Sequence, residues 1–203
     1  MYKLPHFQTQ NFEAIFQFMQ QQSFAIITSN GSNYPVATQV PLMITQKDGK
    51  IYLQGHVMKN TDHHKAFIQN NNVLVIFTGP HCYVSASWYA DAQTASTWNY
   101  MTVHAKGKIN FTNNEGTVEA VKLLTNYYEA EDSLASFKQI PTTYVDKLIH
   151  AIVGFTIEVE NIEHVFKLSQ NKTVDEQKNI INHLQNSTNF QAKEIAIEME
   201  KRL

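Results

Sequence analysis

The stretch "SFAIITSNGSNYPVATQVPLMITQKDGKIYLQGHV", Ser23 to Val57, decides the fold. "SFAIITS" is short and rich in β-branched residues, so it reads as a strand. "NGSN" follows as a turn signal, because Asn and Gly accept the positive φ of tight hairpin turns. "YPVATQVPLMIT" is a second strand, "QKDGK" another turn, and "IYLQGHV" a third strand. Strands joined this closely form an antiparallel meander. Pro41 has no N–H to give a neighbouring strand, so the second strand belongs at an edge or carries a bulge.

Helices and further strands surround this meander. Phe12, Ile15, Phe16 and Met19 fall on one helical face, and Asn11 stands where a cap belongs. Residues 60–72 read as a polar helix. "VLVIFTG" is a continuous apolar strand, and "HCYVSAS" is another beyond its Gly-Pro break. "TWNYMTVHAKGKINF" is a long strand in which Gly107 marks a bend or a bulge. Helices are expected over 115–129 and 142–149, and a strong strand over "AIVGFTIEVENIE". Two more helices follow, over 173–184 and 190–201. The first of these opens with Thr173 and Glu176, a capping box. Six or so antiparallel strands with peripheral helices make a mainly β, α+β chain, read as one small barrel domain over 1–203 with a helical extension from about 172.

Composition narrows the function. The 203 residues carry 16 Lys and Arg against 18 Asp and Glu, a net charge of −2. A domain living on DNA phosphates would be basic, so direct DNA binding is not expected. The one cysteine, Cys82, fits a reducing, cytoplasmic setting. No apolar run is long enough for a membrane span.

Four segments carry candidate chemistry. In "GHVMKNTDHHKAF", Gly55 to Phe67, the histidines suggest a metal, but their spacing does not converge on four ligands. An anion cradle suits the order better. Gly55 ends a strand, His56 and Lys59 supply donors, and Asn60 and Thr61 stand where a helix begins. Thr61 or Asp62 serves equally as a plain N-cap. In "STWNYMTVHAKG", Trp98, Tyr100 and His104 share a face opposite Asn99, either to stack a planar ligand or to pack as a wall. In "FKLSQN", Lys167, Ser169, Gln170 and Asn171 crowd polar groups before a helix. In "ATQVPL", Thr38, Gln39, Val40 and Pro41 leave backbone groups open at a sheet edge.

"GHVMKN", "VLVIFTGPHCYVSASWY", "STWNYMTVHAKG", "AIVGFTIEVENIE" and "FKLSQN" occur together in an order and spacing that resemble the PaiB-type FMN-binding negative transcriptional regulators. The resemblance runs from Met1 almost to the C-terminus. It implies a split β-barrel similar to pyridoxamine-phosphate oxidases and flavin reductases, with FMN at a homodimer interface. The function it implies is transcriptional regulation or an FMN-dependent oxidoreductase. Carried over by motif, His56, Lys59, Asn60 and Thr61, after Gly55, would meet the FMN phosphate. The Thr38–Pro41 backbone, including Gln39 and Val40, would edge the isoalloxazine ring. Trp98, Asn99 and Tyr100 would lie near flavin or interface, and Lys167, Ser169, Gln170 and Asn171 would complete the site. No catalytic residue is assigned. The chain has Thr-Gln-Val-Pro at 38–41 where the family often has Thr-His-x-Pro, Lys59 where Arg is frequent, and Ser96 where Pro is usual. Lys59 keeps the charge without the bidentate fork. Haem is the alternative ligand, because related split barrels bind it, with His56 and His104 as candidate axial ligands.

Overall fold

A computed structural model describes Met1 and residues 4–203. The strands are β1 (Phe24–Asn30), β2 (Pro35–Pro41), β3 (Met43–Lys47), β4 (Lys50–Met58), β5 (Asn72–Val84), β6 (Thr97–Phe111) and β7 (Ile152–Lys167). They form one seven-stranded antiparallel sheet in the order β2-β1-β5-β6-β7-β4-β3. The helices are α1 (Phe12–Gln21), α2 (Asp62–Gln69), α3 (Asn114–Tyr128), α4 (Thr142–Ala151), α5 (Val174–Gln185) and α6 (Phe190–Glu200). The expected three-strand meander divides into two hairpins, β1–β2 and β3–β4, and β2 lies at a sheet edge where Pro41 directs it. No described helix is long and apolar enough to cross a membrane.

Three boundaries differ from the sequence reading. The long second strand divides at Leu42, whose N–H turns to the carbonyl of Ser23 at 2.9 Å. "VLVIFTG" and "HCYVSAS" are one strand, β5, continuous through Gly79-Pro80. Gly79 allows this because a Cβ there would stand 2.6 Å from the Phe18 ring. β7 continues past Glu163 to Lys167, so the first two residues of "FKLSQN" are strand.

The chain forms two compact units. Unit 1 contains residues 1–18, 78–103 and 163–203, and unit 2 contains 19–77 and 104–162. In unit 1, the core gathers Phe18, Val84, Met101, Phe166, Leu168, Ile180, Leu184, Ile195 and Met199, all buried. Phe18 and Phe166 meet at a ring distance of 5.2 Å. α5 starts on the expected box, with Thr173 and Glu176 each accepting from or donating to the other's end of the turn.

In unit 2, Ile27, Leu53, Phe67, Val75, Phe77, Ile109, Phe155 and Ile157 form the core. β4 pairs with β7 in a register that sets Gly55 opposite Phe155 and His56 opposite Gly154. α3 lies down on Gly154. The Gly154 N–H donates to Thr117 Oγ1 at 2.9 Å, and a Cβ there would come within 2.7 Å of Thr112 Oγ1. Asn113 caps α3 by accepting from the Gly116 N–H.

Gly107 brings the backbone of β6 close against that of β7. A Cβ at this position would stand 2.2 Å from the Glu158 carbonyl oxygen. Gly107→Ala is therefore expected to push β6 from β7 and destabilise the protein by about 1–3 kcal/mol, the usual cost of overpacking. Thermal or urea unfolding of the variant checks this, and an unchanged midpoint would count against the packing described.

Candidate functional site

The first group of predicted site residues is built at the junction of β4 with α2, within unit 2. Four carbonyls at the end of α4 lack intrahelical donors, as at any helix C-terminus. Lys59 satisfies two of them. Its backbone N–H donates to Ala151 O at 2.8 Å, and its ammonium donates to Ile149 O at 2.7 Å. An ammonium carries three donors, so the side chain is fixed in place with two N–H bonds left over. The negative end of the α4 dipole favours a cation here.

The next residue, Asn60, adopts φ 65°. Asn tolerates this left-handed conformation better than most residues. It turns the chain so that Thr61 can cap α2. Thr61 Oγ1 accepts from the His64 N–H at 3.3 Å and donates to Met58 O at 3.0 Å. His63 and His64 are half-buried and brace this turn. His63 Nε2 lies 3.0 Å from Thr61 Oγ1. The Asn60 N–H donates to His64 Nδ1 at 3.1 Å, and the His64 ring sits edge-on to Phe111. A nitrogen that accepts an N–H carries no proton, so His64 is neutral. Burial lowers its pKa, and the neighbouring His63, Lys59 and Lys65 lower it further.

His56 is the residue whose chemistry the fold leaves open. Its Nδ1 is buried and has no hydrogen-bond partner. Burial lowers its pKa, which favours the neutral ring. Gly55 beside it has a packing duty: a Cβ would meet the Phe155 ring at 3.0 Å and Pro41 O at 3.1 Å. That second contact joins the two predicted segments. The end of β2 lies directly against Gly55, so Thr38–Pro41 and Gly55–Thr61 are brought together inside one unit. β2, as the edge strand, keeps one row of backbone groups outside the ladder with β1. Gln39 is exposed, Thr38 half-buried and Val40 buried. A cleft of about 460 Å³ opens against the first turns of α2, lined by Gly31–Val36, Asp62, Lys65 and Gln69.

The second group belongs to unit 1. The strand alternation is as read: Asn99 is buried, and Trp98 and Tyr100 take the other face. Asn99 is fully enclosed and bonded inside the fold. Its Nδ2 donates to Ser169 Oγ at 2.9 Å, and Ser169 Oγ lies 3.1 Å from Asn99 Oδ1. Ser169 holds φ 61°, and this side-chain pair pins it there. Gln170 closes the same turn, accepting from the Leu168 N–H at 2.7 Å and donating to Phe166 O at 2.5 Å. Lys167 donates to Thr97 Oγ1, and Asn171 is exposed. The polar richness of "FKLSQN" thus goes largely into a hydrogen-bonded turn. Trp98 is 53% exposed, with His81 and Tyr83 packed around its ring. His81 and Tyr83 were not singled out in the sequence, because nothing local says that β5 sets them beside Trp98.

Comparison with known proteins gives this geometry a context. Residues 1–161 match the family described as "Putative FMN-binding domain". Over its full length the chain is 34% identical to the protease synthase and sporulation protein PAI 2 of Bacillus subtilis, covering 98% of that protein. The chain belongs to this PaiB-type FMN-binding family. Two solved structures share the fold. The flavocytochrome Anf3 of Azotobacter vinelandii matches with a TM-score of 0.60 at 11% identity, over 78% of this chain and 68% of that one. The FAD and heme binding protein of Mycobacterium smegmatis matches with a TM-score of 0.57 at 13% identity, over 84% of this chain and 78% of that one. The fold is therefore that of the flavin-binding split barrels, as the motifs implied.

The neutral histidines make stability pH-dependent. His56, His64 and His164 all have pKa values below the ordinary 6.5, chiefly through burial. His164 also accepts the Thr9 N–H on Nε2 at 2.9 Å. In the unfolded chain these groups take up protons first as the pH falls. Their contribution is thus complete above about pH 6.5 and is lost on further acidification. The melting temperature is expected to be flat above about pH 7 and to fall between about pH 6.5 and 5. His164→Gln keeps an acceptor without titrating and should flatten part of that slope. A profile unchanged by the substitution would contradict this assignment for His164.

Proposed function

We propose that this protein holds FMN with the flavin phosphate at the β4–α2 junction. The observation that carries the reading is Lys59: a half-buried ammonium, fixed by Ile149 O, with two N–H donors still to spend at the start of a capped helix. The orphaned His56 Nδ1, on the same strand end, fits a group that brings its own hydrogen-bonding atoms. The local cations Lys59 and Lys65 and the α2 N-terminus all favour a dianion. Thr38–Pro41, at the sheet edge and against Gly55, offers backbone groups for the ring edge. FMN supplies one- and two-electron transfer when bound. The chain's own part is to bind, orient and shield it.

Trp98, Tyr100 and Lys167 have their place, in this reading, at the interface between two copies. The exposed aromatic group of Trp98, Tyr83 and His81 supports a second copy as its cover. Light scattering tests this, and a mass of one 23.3 kDa chain would remove the dimer. Regulation, in this reading, does not run through direct DNA contact. The chain is slightly acidic, and α6 buries Ala192, Ile195, Ala196 and Met199. A sequence-specific, salt-dependent gel shift would reverse this view. A cytoplasmic setting suits the single buried Cys82, whose thiol is pushed up to about 12 by burial.

Haem is the second reading, on one observation. Burial lowers the His56 pKa and so favours the neutral ring, the form that binds iron. Titration separates the two. FMN is expected to bind with a shifted flavin absorbance, and Lys59→Gln to weaken it at least about tenfold, the scale of one charge-assisted hydrogen bond. A Soret shift with haem and no response to FMN would overturn the proposal.

A further inference from the structure

A second cleft, of about 430 Å³, lies on unit 2 between the C-terminal half of α3 and the turn that follows it. It is independent of the β4–α2 junction in both residues and chemistry. Its floor includes Ser136, which is only 3% exposed and whose Oγ has no hydrogen-bond partner. Ser136 precedes the short 3-10 turn Phe137–Gln139 without capping it. A buried hydroxyl with nothing to bond is costly, by roughly 1–3 kcal/mol, and the cost is recovered by a ligand that reaches it.

The rim carries both signs of charge. Lys122 and Lys138 bring ammonium groups, and Asn126 brings an amide. Glu129 and Glu131 bring carboxylates. The pairs already made are loose and exposed: Lys138 to Glu131 at 3.6 Å, and Lys122 to Glu119 at 3.4 Å. Exposed pairs of this kind contribute little and exchange easily. The Glu129 carboxylate, which lines the cleft, is set in place by Ser133, which donates to Oε2 at 2.7 Å. The turn itself is internally fixed, through Ser133 N–H to Ala130 O at 3.0 Å and Ser136 N–H to Ser133 O at 3.1 Å. The half-buried Phe137 adds an apolar wall.

A plain anion would meet Glu129 and Glu131, and a plain cation would meet Lys122 and Lys138. A small molecule carrying both charges satisfies the whole rim. We infer that this cleft binds a free α-amino acid. The carboxylate would take Lys122, Lys138 and the Ser136 hydroxyl, the ammonium would take Glu129 and Glu131, and the side chain would lie on Phe137. Such a site would let the protein respond to amino-acid supply without involving the flavin groove.

The test uses the full chain, with glycine, L-glutamine, L-leucine and L-phenylalanine as probes. Acetate and methylamine stand as single-charge controls. Calorimetry and thermal shift at up to about 10 mM read the binding, a range that covers weak metabolite affinities. At least one amino acid is expected to bind saturably and raise the melting temperature, with neither control doing so. Ser136→Ala and Glu129→Gln should each weaken that binding at least about tenfold. Ser136→Ala should leave the ligand-free melting temperature unchanged or higher, because it removes an unsatisfied group. Absence of binding by all four probes, equal binding of acetate, or wild-type affinity in both variants would overturn the inference. So would a ligand-free melting temperature lowered by Ser136→Ala, since the hydroxyl would then already have a partner.

Discussion

Lys59 ties the end of β4 to the end of α4, and the candidate site hangs on that tie. Two hydrogen bonds, one from the backbone and one from the ammonium, satisfy the last carbonyls of a helix that begins 83 positions later in the chain, at Thr142. The same residue then hands the chain to Asn60, whose left-handed backbone lets Thr61 cap α2. One cation thus closes one helix, positions another and still carries spare donors. A neutral residue at this position would keep the backbone bond to Ala151 O but lose the charge and the spare ammonium donors.

The surrounding packing makes this junction rigid. Gly55 lets the Phe155 ring and Pro41 O come close. Gly154, opposite His56, lets the start of α3 rest on the sheet. These two glycines are explained by neighbours that a side chain would displace. Their effect on the site is indirect: they set how near β2 and α3 come to the strand that ends in Lys59. His56 is left with a buried nitrogen that the fold itself does not use.

Much of the fold was legible because its signals are local. The β1–β2 and β3–β4 hairpin turns, the capping box at Thr173 and the alternation of Trp98, Asn99 and Tyr100 depend on residues a few positions apart. The continuity of β5 through Gly79-Pro80 was not legible, because Phe18 fills the space beside Gly79 from far away in sequence. The inward use of "FKLSQN" was equally hidden. Ser169 finds Asn99 across 70 positions, and no spacing rule announces that pairing. For the Gly55–Thr61 loop, the residue types pointed to an anion, but the hold of α4 on Lys59 could only come from the fold. The family resemblance located both groups of candidate residues without distinguishing those facing a ligand from those bonded to each other.

In the proposed binding mode, this junction recognises the phosphate rather than the ring. Riboflavin has the same isoalloxazine and lacks the phosphate, so parallel titrations of FMN and riboflavin measure that claim directly. The account predicts that riboflavin binds at least about a hundredfold more weakly, as expected for losing two charge-assisted hydrogen bonds. It also predicts that Lys59→Gln narrows the gap from the FMN side alone. Equal affinity for the two flavins would contradict it.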